Sequence, residues 1–436
     1  MDGPLHFFPK PIVWLCKPTS ILTLLTFLFI VFRIYLVIVT PQINIWGAHA
    51  FANDFLSYYL GAILWRTQQN LYDVTQLVAL KDTLGLQFLV GQGFVYPMFL
   101  AFFIAPLTFL PVLTAVRTWY LINVIIYAAL GYFLGKKLTS LKPGLFFLVM
   151  FIFFTFPPLF GNFGSGQINI LIFALYFTYL WSIEKQKPWL GGIFLSIATF
   201  LKVYPAAFLL CALLKKRMRI VAGFLLSVPL LVGIPLIFNS FDHFFYYFKN
   251  ILPAIQSDAD PYFTNQSVNA FLSRIFYSSD YSLPLLSVDI NTFKVITWGV
   301  ILFSVGVIVF STFCCRHDPK KTVMLELVWL GTIVLVSGKS NFWTFVPTVL
   351  ITLFLIIRFT FLLTWQKGLA VISLFLLYYQ ALFFGLTDKL MRLWWQVPHL
   401  GFLYLSAGFL GLLFEVVILI SLIVKRPPRE MGSRFF

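Results

Sequence analysis

Met98-Phe99-Leu100-Ala101-Phe102-Phe103-Ile104-Ala105-Pro106-Leu107-Thr108-Phe109-Leu110 is the stretch on which the topology turns. It is apolar throughout, yet at 1.5 Å per residue it falls short of a hydrocarbon core roughly 30 Å thick. Pro97 and Pro111 bound it and Pro106 lies inside it. Read as a full span, it puts Lys136, Lys137 and Lys142 outside the membrane. Read as a re-entrant or interfacial helix, it leaves Leu113–Gly135 as the second span and those lysines inside. The same choice carries Lys185, Lys187 and the Lys215-Lys216-Arg217-Met218-Arg219 cluster to the inner side. Basic residues favour cytoplasmic loops, so the second reading is adopted.

The whole composition agrees with a membrane setting. Hydrophobic residues make up 60% of the 436, aromatics 19%, and charged residues only 11%, against about 25% charged in soluble domains. The mean hydropathy is +0.91. Apolar runs recur from Ile21 to Val424 and no large polar insertion interrupts them, so one domain, 1–436, is expected. The net charge of +16 sits between the apolar runs, where membrane orientation accounts for it and nucleic acid need not be invoked. Cys16, Cys211, Cys314 and Cys315 fall near inner ends and form neither a metal spacing nor a disulfide framework. The N-terminal run Thr19–Val39 is too long for a signal-peptide core and is read as the first span.

Outward from the first span, residues 40–112 form an outer segment, and residues 1–18 and 425–436 are cytoplasmic. Leu145–Phe160 crosses outward to a turn, Gly161-Asn162-Phe163-Gly164-Ser165-Gly166-Gln167, and Ile168–Ile183 returns. Trp189–Leu201 and Ala206–Leu214 are two short arms around Lys202-Val203-Tyr204-Pro205, so that break is expected in the outer half of the membrane. Ile220–Phe238 leads to a second outer segment, 239–291. Further spans are expected at Phe293–Phe313, Thr322–Val336, Phe342–Leu363, Leu369–Leu386 and His399–Val424. The expected architecture is an all-α polytopic membrane protein with about twelve membrane helices.

Several residues could carry chemistry. No phosphate-binding glycine loop is present, the five histidines are scattered, and no metal or cofactor is expected. Asp54, Asp73, Asp82, Asp242, Asp258, Asp260, Asp280 and Asp289 all fall on the outer side of this topology. A reaction there cannot draw on cytoplasmic nucleotide sugars, but it could use a lipid carrying an activated sugar. In Asn53-Asp54-Phe55-Leu56-Ser57-Tyr58-Tyr59, Asp54 and Tyr58 share a helix face. Asp54 could abstract a hydroxyl proton, its basicity raised by desolvation, or it could simply cap the helix. Lys202 is a charge at membrane depth, where such groups face a cavity or a partner, or snorkel. Pro205 favours a break beside it. Arg117, Arg274 and Lys339 are further outer cations able to meet a phosphate or to anchor at the interface. Gln167 and Asn169 offer amides at a helix start, suited to sugar hydroxyls or to capping. Asn265-Gln266-Ser267 is also a glycosylation sequon.

Taken in order, Asp54-x3-Tyr58-Tyr59, Leu71-Tyr72-Asp73, Phe94-Val95-Tyr96-Pro97, Gly166-Gln167-x-Asn169, Leu201-Lys202-x-Tyr204-Pro205 and Asn265-Gln266-Ser267 resemble glycosyltransferase family 87 from Asp54 to Arg274. The resemblance implies a GT-C fold, a polyprenyl-phosphate sugar donor (mannose is the expected sugar), and a lipid or glycan acceptor. It implies inverting transfer at the outer face, in a bacterial inner membrane, with Asp54 as general base. It also implies Lys202 near the phosphate, with Tyr58, Tyr59, Tyr96, Gln167, Asn169, Tyr204, Asn265, Gln266 and Arg274 around the substrates. Many relatives carry a late histidine. Here Ser340-Asn341-Phe342-Trp343-Thr344-Phe345-Val346-Pro347 has none, and Lys339 or Asn341 could stand in. A flippase for lipid-linked saccharides is the competing reading, but it would favour an internal repeat and a polar path through the bundle. A non-catalytic scaffold explains neither Lys202 nor the order of the motifs.

Overall fold

The computed structural model describes residues 17–39, 52–86, 93–257, 260–277, 284–318, 321–383 and 405–424. The expected N-terminal tail before residue 17 and the tail after 424 lie outside them, as do parts of the first outer segment. The described chain is helical. Its helices are α1 Pro18–Val39, α2 Asn53–Arg66, α3 Val74–Thr83, α4 Met98–Ile104, α5 Val112–Lys137, α6 Pro143–Thr155, α7 Pro157–Ser165, α8 Asn169–Glu184, α9 Pro188–Leu201 and α10 Ala207–Leu214. There follow α11 Met218–Ile237, α12 Phe241–Tyr246, α13 Leu252–Ser257, α14 Val268–Phe276, α15 Ile290–Cys315, α16 Thr322–Val336, α17 Val349–Ile357, α18 Thr364–Phe383 and α19 Ala407–Val424. Among the described residues, six helical stretches are long and apolar enough to cross a membrane and six shorter apolar ones accompany them. This is an all-α polytopic membrane protein.

Prolines punctuate it as their missing N–H demands. Pro143, Pro157 and Pro188 each stand at a helix start, where that donor would be unpaired anyway. The stretch after Pro97 is short, as its length suggests: α4 tightens into a 3-10 turn, Ala105–Phe109. The region expected as a single span at Phe342–Leu363 is instead broken, with a 3-10 helix at Phe342–Thr348 ahead of α17. Pro347 inside it removes a ladder donor. The expected outer turn at Gly161–Gln167 is mostly helix, since α7 runs to Ser165 and only Gly166–Ile168 turn. Both glycines are tied to neighbouring elements, and at Gly161 the lack of a side chain is used. A Cβ on Gly161 would sit 3.0 Å from the Trp343 ring, and the Gly164 carbonyl accepts from Ala52 N at 2.7 Å. Part of the expected last span, 399–404, lies outside the described residues.

Two buried apolar clusters organise the interior. One gathers α1, α5–α8 and the later helices α15–α19. The other gathers α2, α4 and the facing sides of α5, α8, α9 and α11. Tyr204, in the break between α9 and α10, packs against both. The break itself matches expectation: α9 ends at Leu201, Lys202 is extended, and a 3-10 turn, Tyr204–Ala206, restarts the chain into α10.

Charge inside the bundle is answered by partners. Glu326, on apolar α16, is 1% exposed, and it pairs with Lys215 at 3.2 Å and Arg217 at 2.7 Å. Tyr179 on α8 also donates to it at 3.3 Å. Two members of the basic cluster are therefore ion-pair partners as well as orientation signals. Arg33 on α1 is buried among aromatic rings, nearest to Phe163 at 4.2 Å. Removing one member of a buried ion cluster leaves the rest uncompensated. Glu326→Ala is expected to destabilise the protein by about 3–5 kcal/mol, read as a lower unfolding midpoint in detergent.

Candidate active site

A cavity of about 620 Å³ opens where the two clusters meet. Its polar end is made by the start of α2, the turn between α7 and α8, the α9–α10 break, and segment 337–344. Asp54, Tyr96, Gln167, Lys202, Lys339 and Thr344 line it.

The start of α2 is set by backbone, not by a side-chain cap. Ala52 occupies the N-cap position in the left-handed region, with φ 67°, and its side chain makes no capping bond. Asp54 therefore is not the cap. It lies within the first turn, where an anion is favoured by the helix end. Gly166, with φ 68°, lets α7 turn tightly under α2: a Cβ there would lie 2.7 Å from that of Phe55. Trp119 Nε1 donates to the Gly166 carbonyl at 2.7 Å and fixes the turn further.

That turn delivers Gln167. Its Oε1 accepts from the Tyr58 hydroxyl at 2.9 Å, and its Nε2 donates to the Tyr96 hydroxyl at 3.1 Å. The same side chain also hydrogen-bonds Asp54. Asp54 lies on α2, outside the spanning helices. Burial pushes its carboxyl above the ordinary range, while the Gln167 bond and the charges of Lys202 and Lys339 oppose that rise. Lys202 Nζ donates to Asn169 Oδ1 at 2.9 Å and reaches Thr344 Oγ1 at 3.5 Å. The cavity thus pairs a carboxylate whose basicity is raised with an ammonium held by an amide and a hydroxyl. Asn53 Oδ1, Asn169 Nδ2 and Tyr204 Oη, all buried, make no hydrogen bond within the protein, and buried polar groups of this kind require a partner.

The expected site residues separate into three groups. Asp54, Tyr96, Gln167, Lys202 and Tyr204 line the cavity. Tyr58 and Asn169 stand behind it and orient Gln167 and Lys202. Tyr59, Asn265, Gln266 and Arg274 are not on its wall. Tyr59 donates to the Leu110 carbonyl at 2.9 Å. Asn265 Oδ1 accepts from Ser340 N at 3.2 Å, and Gln266 Nε2 donates to the Leu405 carbonyl at 2.8 Å. Arg274 Nε donates to the Pro261 carbonyl at 3.0 Å and Nη2 to that of Tyr262 at 2.9 Å. Gln266 N also donates to the Ser340 carbonyl, and Phe342 N to that of Thr264, both at 2.7 Å. The Asn265 side chain and these two backbone bonds tie segment 260–267 to segment 338–344, and the tied segment presents Lys339, Asn341 and Thr344 to the cavity. Lys339 in turn pairs with Asp260 at 2.9 Å. Thr344 and Tyr247 were not anticipated as wall residues. Thr344 lies in a stretch already singled out, whereas nothing in the aromatic run around Tyr247 distinguishes it. Among the described residues no three His, Cys, Asp or Glu side chains gather to hold a metal ion.

The described residues thus form a helical membrane bundle with a cavity lined by both a carboxylate and an ammonium. The model of glycosyltransferase family 87 matches residues 94–338, over half of the chain, and the protein belongs to that family. It is a glycosyltransferase. No curated protein matches the sequence significantly. The matched span contains Gln167 and Lys202 but begins after α2, so Asp54 enters through its packing on the matched part. Gln167→Ala removes the bond that holds the Asp54 carboxyl down and leaves the Tyr58 and Tyr96 hydroxyls only their 3.2 Å bond to each other. The variant is expected to lower stability by about 1–3 kcal/mol, measured by thermal unfolding.

Proposed function

We propose that the enzyme transfers a sugar, mannose in the leading reading, from a polyprenyl-phosphate donor to a lipid- or glycan-linked acceptor at the outer face of a bacterial inner membrane. The observation that carries the reading is that Asp54 and Lys202 line one cavity, the first held by Gln167 and the second by Asn169 rather than the two by a direct salt bridge. Asp54 accepts the proton of the acceptor hydroxyl, and the acceptor oxygen attacks the anomeric carbon. The bond from that carbon to the phosphate oxygen breaks, and the lipid phosphate leaves toward Lys202. One displacement inverts the anomeric configuration. An ammonium already fixed by Asn169 and Thr344 reorganises little as the phosphate charge develops. The cavity also has an apolar limb between α10, α15 and α16, lined by Leu210, Ile308, Trp329 and Ile333, which suits the donor's prenyl chain.

The test uses purified protein, polyprenyl-phosphate mannose and candidate acceptors. Asp54→Asn is expected to lower transfer by about 10²–10⁴-fold, the range of general-base catalysis. Full activity in that variant would remove Asp54 from the reaction. The base works only when unprotonated, and burial raises its pKa. Transfer should therefore fall on acidification at a pH above that of an ordinary aspartate, with full activity on the alkaline side.

A further inference from the structure

A second cavity, about 190 Å³, lies between α4, α9, α11 and the outer segment that begins with α12. The transfer chemistry above does not use it. Pro97, Val203 and Tyr247 line both cavities, so the two share a wall. Along α11 the lining runs from Phe224 to Pro235, and eleven steps of 1.5 Å make it a slot about 16 Å long. Apart from the Tyr247 phenol, its polar side chain is Thr199, whose hydroxyl already donates to the Leu195 carbonyl at 2.9 Å. It follows a spanning helix, offers nothing polar along its length, and ends beside the cavity that holds Asp54. That is the shape and chemistry of an alkyl-chain site.

The donor has its own apolar limb along α10, directly after Lys202. In an inverting displacement, nucleophile and leaving group occupy opposite faces of the sugar, so two lipid substrates need two separate slots. The shared wall also adjoins Tyr96, which bonds Gln167 beside the base. We propose that the slot between α4, α9 and α11 binds the alkyl chain of the acceptor, so that the hydroxyl glycosylated belongs to a membrane lipid. The proposal rests on the transferase reading and selects a lipid over a free glycan.

The experiment is photolabelling of the full chain in lipid nanodiscs with a hexadecyl mannoside carrying a diazirine on its alkyl chain, with adducts mapped by peptide mass spectrometry. Adducts are expected on α9 and α11 around the slot, competed by excess hexadecyl mannoside and not by excess polyprenyl phosphate. Thr199→Phe and Val232→Phe fill the slot from opposite walls, and each should weaken labelling about tenfold, as excluding two methylenes would. Competition by polyprenyl phosphate would give the slot to the donor and overturn the proposal. So would absence of slot adducts in folded wild type, or unchanged labelling in both folded variants. The transferase reading fails on a different readout, the absence of sugar transfer by wild type, whatever the labelling pattern.

Discussion

An ammonium carried into a bundle of apolar helices has to be met there by oxygen atoms, and much of this structure follows from how Lys202 is met. The chain reaches it through a break that no continuous helix could supply. Leu201 ends one short helix, Lys202 is extended, and Pro205 lacks the donor that would close the ladder. Asn169 and Thr344 come from two other elements to hold Nζ. Such a break is tolerable at membrane depth only where it lines a cavity or is buried in protein. The cavity that Asp54 also lines lies against it.

The short helix after the break is fixed by charge at both ends. Lys202 precedes α10 and is fixed in the cavity. Lys215 follows α10 and, with Arg217, is fixed to Glu326. A helix of eight residues has little intrinsic stability, so these two anchorages and the packing around Phe208 and Cys211 hold it in register. The acidic anchor sits on α16 three residues before the wall residue Trp329 and is not itself on the cavity wall, yet it limits how far the break can slide.

The bundle was legible in the sequence because its signals are local and strong: long apolar runs, prolines at their ends, and lysines between them. The break at Lys202 was equally legible, since two apolar stretches too short to span enclose a charge and a proline. Asp54, Gln167 and Asn169 were recognisable as residues, but the bond between Asp54 and Gln167 spans most of the early chain and no spacing encodes it. Asn265, Gln266 and Arg274 illustrate the opposite case. Their polarity suggested substrate, whereas Asn265 and Gln266 close a segment against Ser340 and Arg274 braces that same segment from within, a pairing visible only in three dimensions. Glu326 was passed over because one acid in an apolar helix does not name its partners. The absence of a late histidine was plain, and Lys339, weighed as its stand-in, does face the cavity.

Ala52 gives the entrance of α2 a particular fragility. A non-glycine residue in the left-handed region is disfavoured locally by about 1–2 kcal/mol, and the structure holds it there by tertiary contact with the α7–α8 turn. The first turn of α2 therefore borrows its order from a neighbour. Elements of that kind open at lower free energy than the body of a fold. On warming, this first turn is expected to lose its order while the spanning helices are still assembled, so a probe placed at the α2 entrance would report a lower transition than the bundle does.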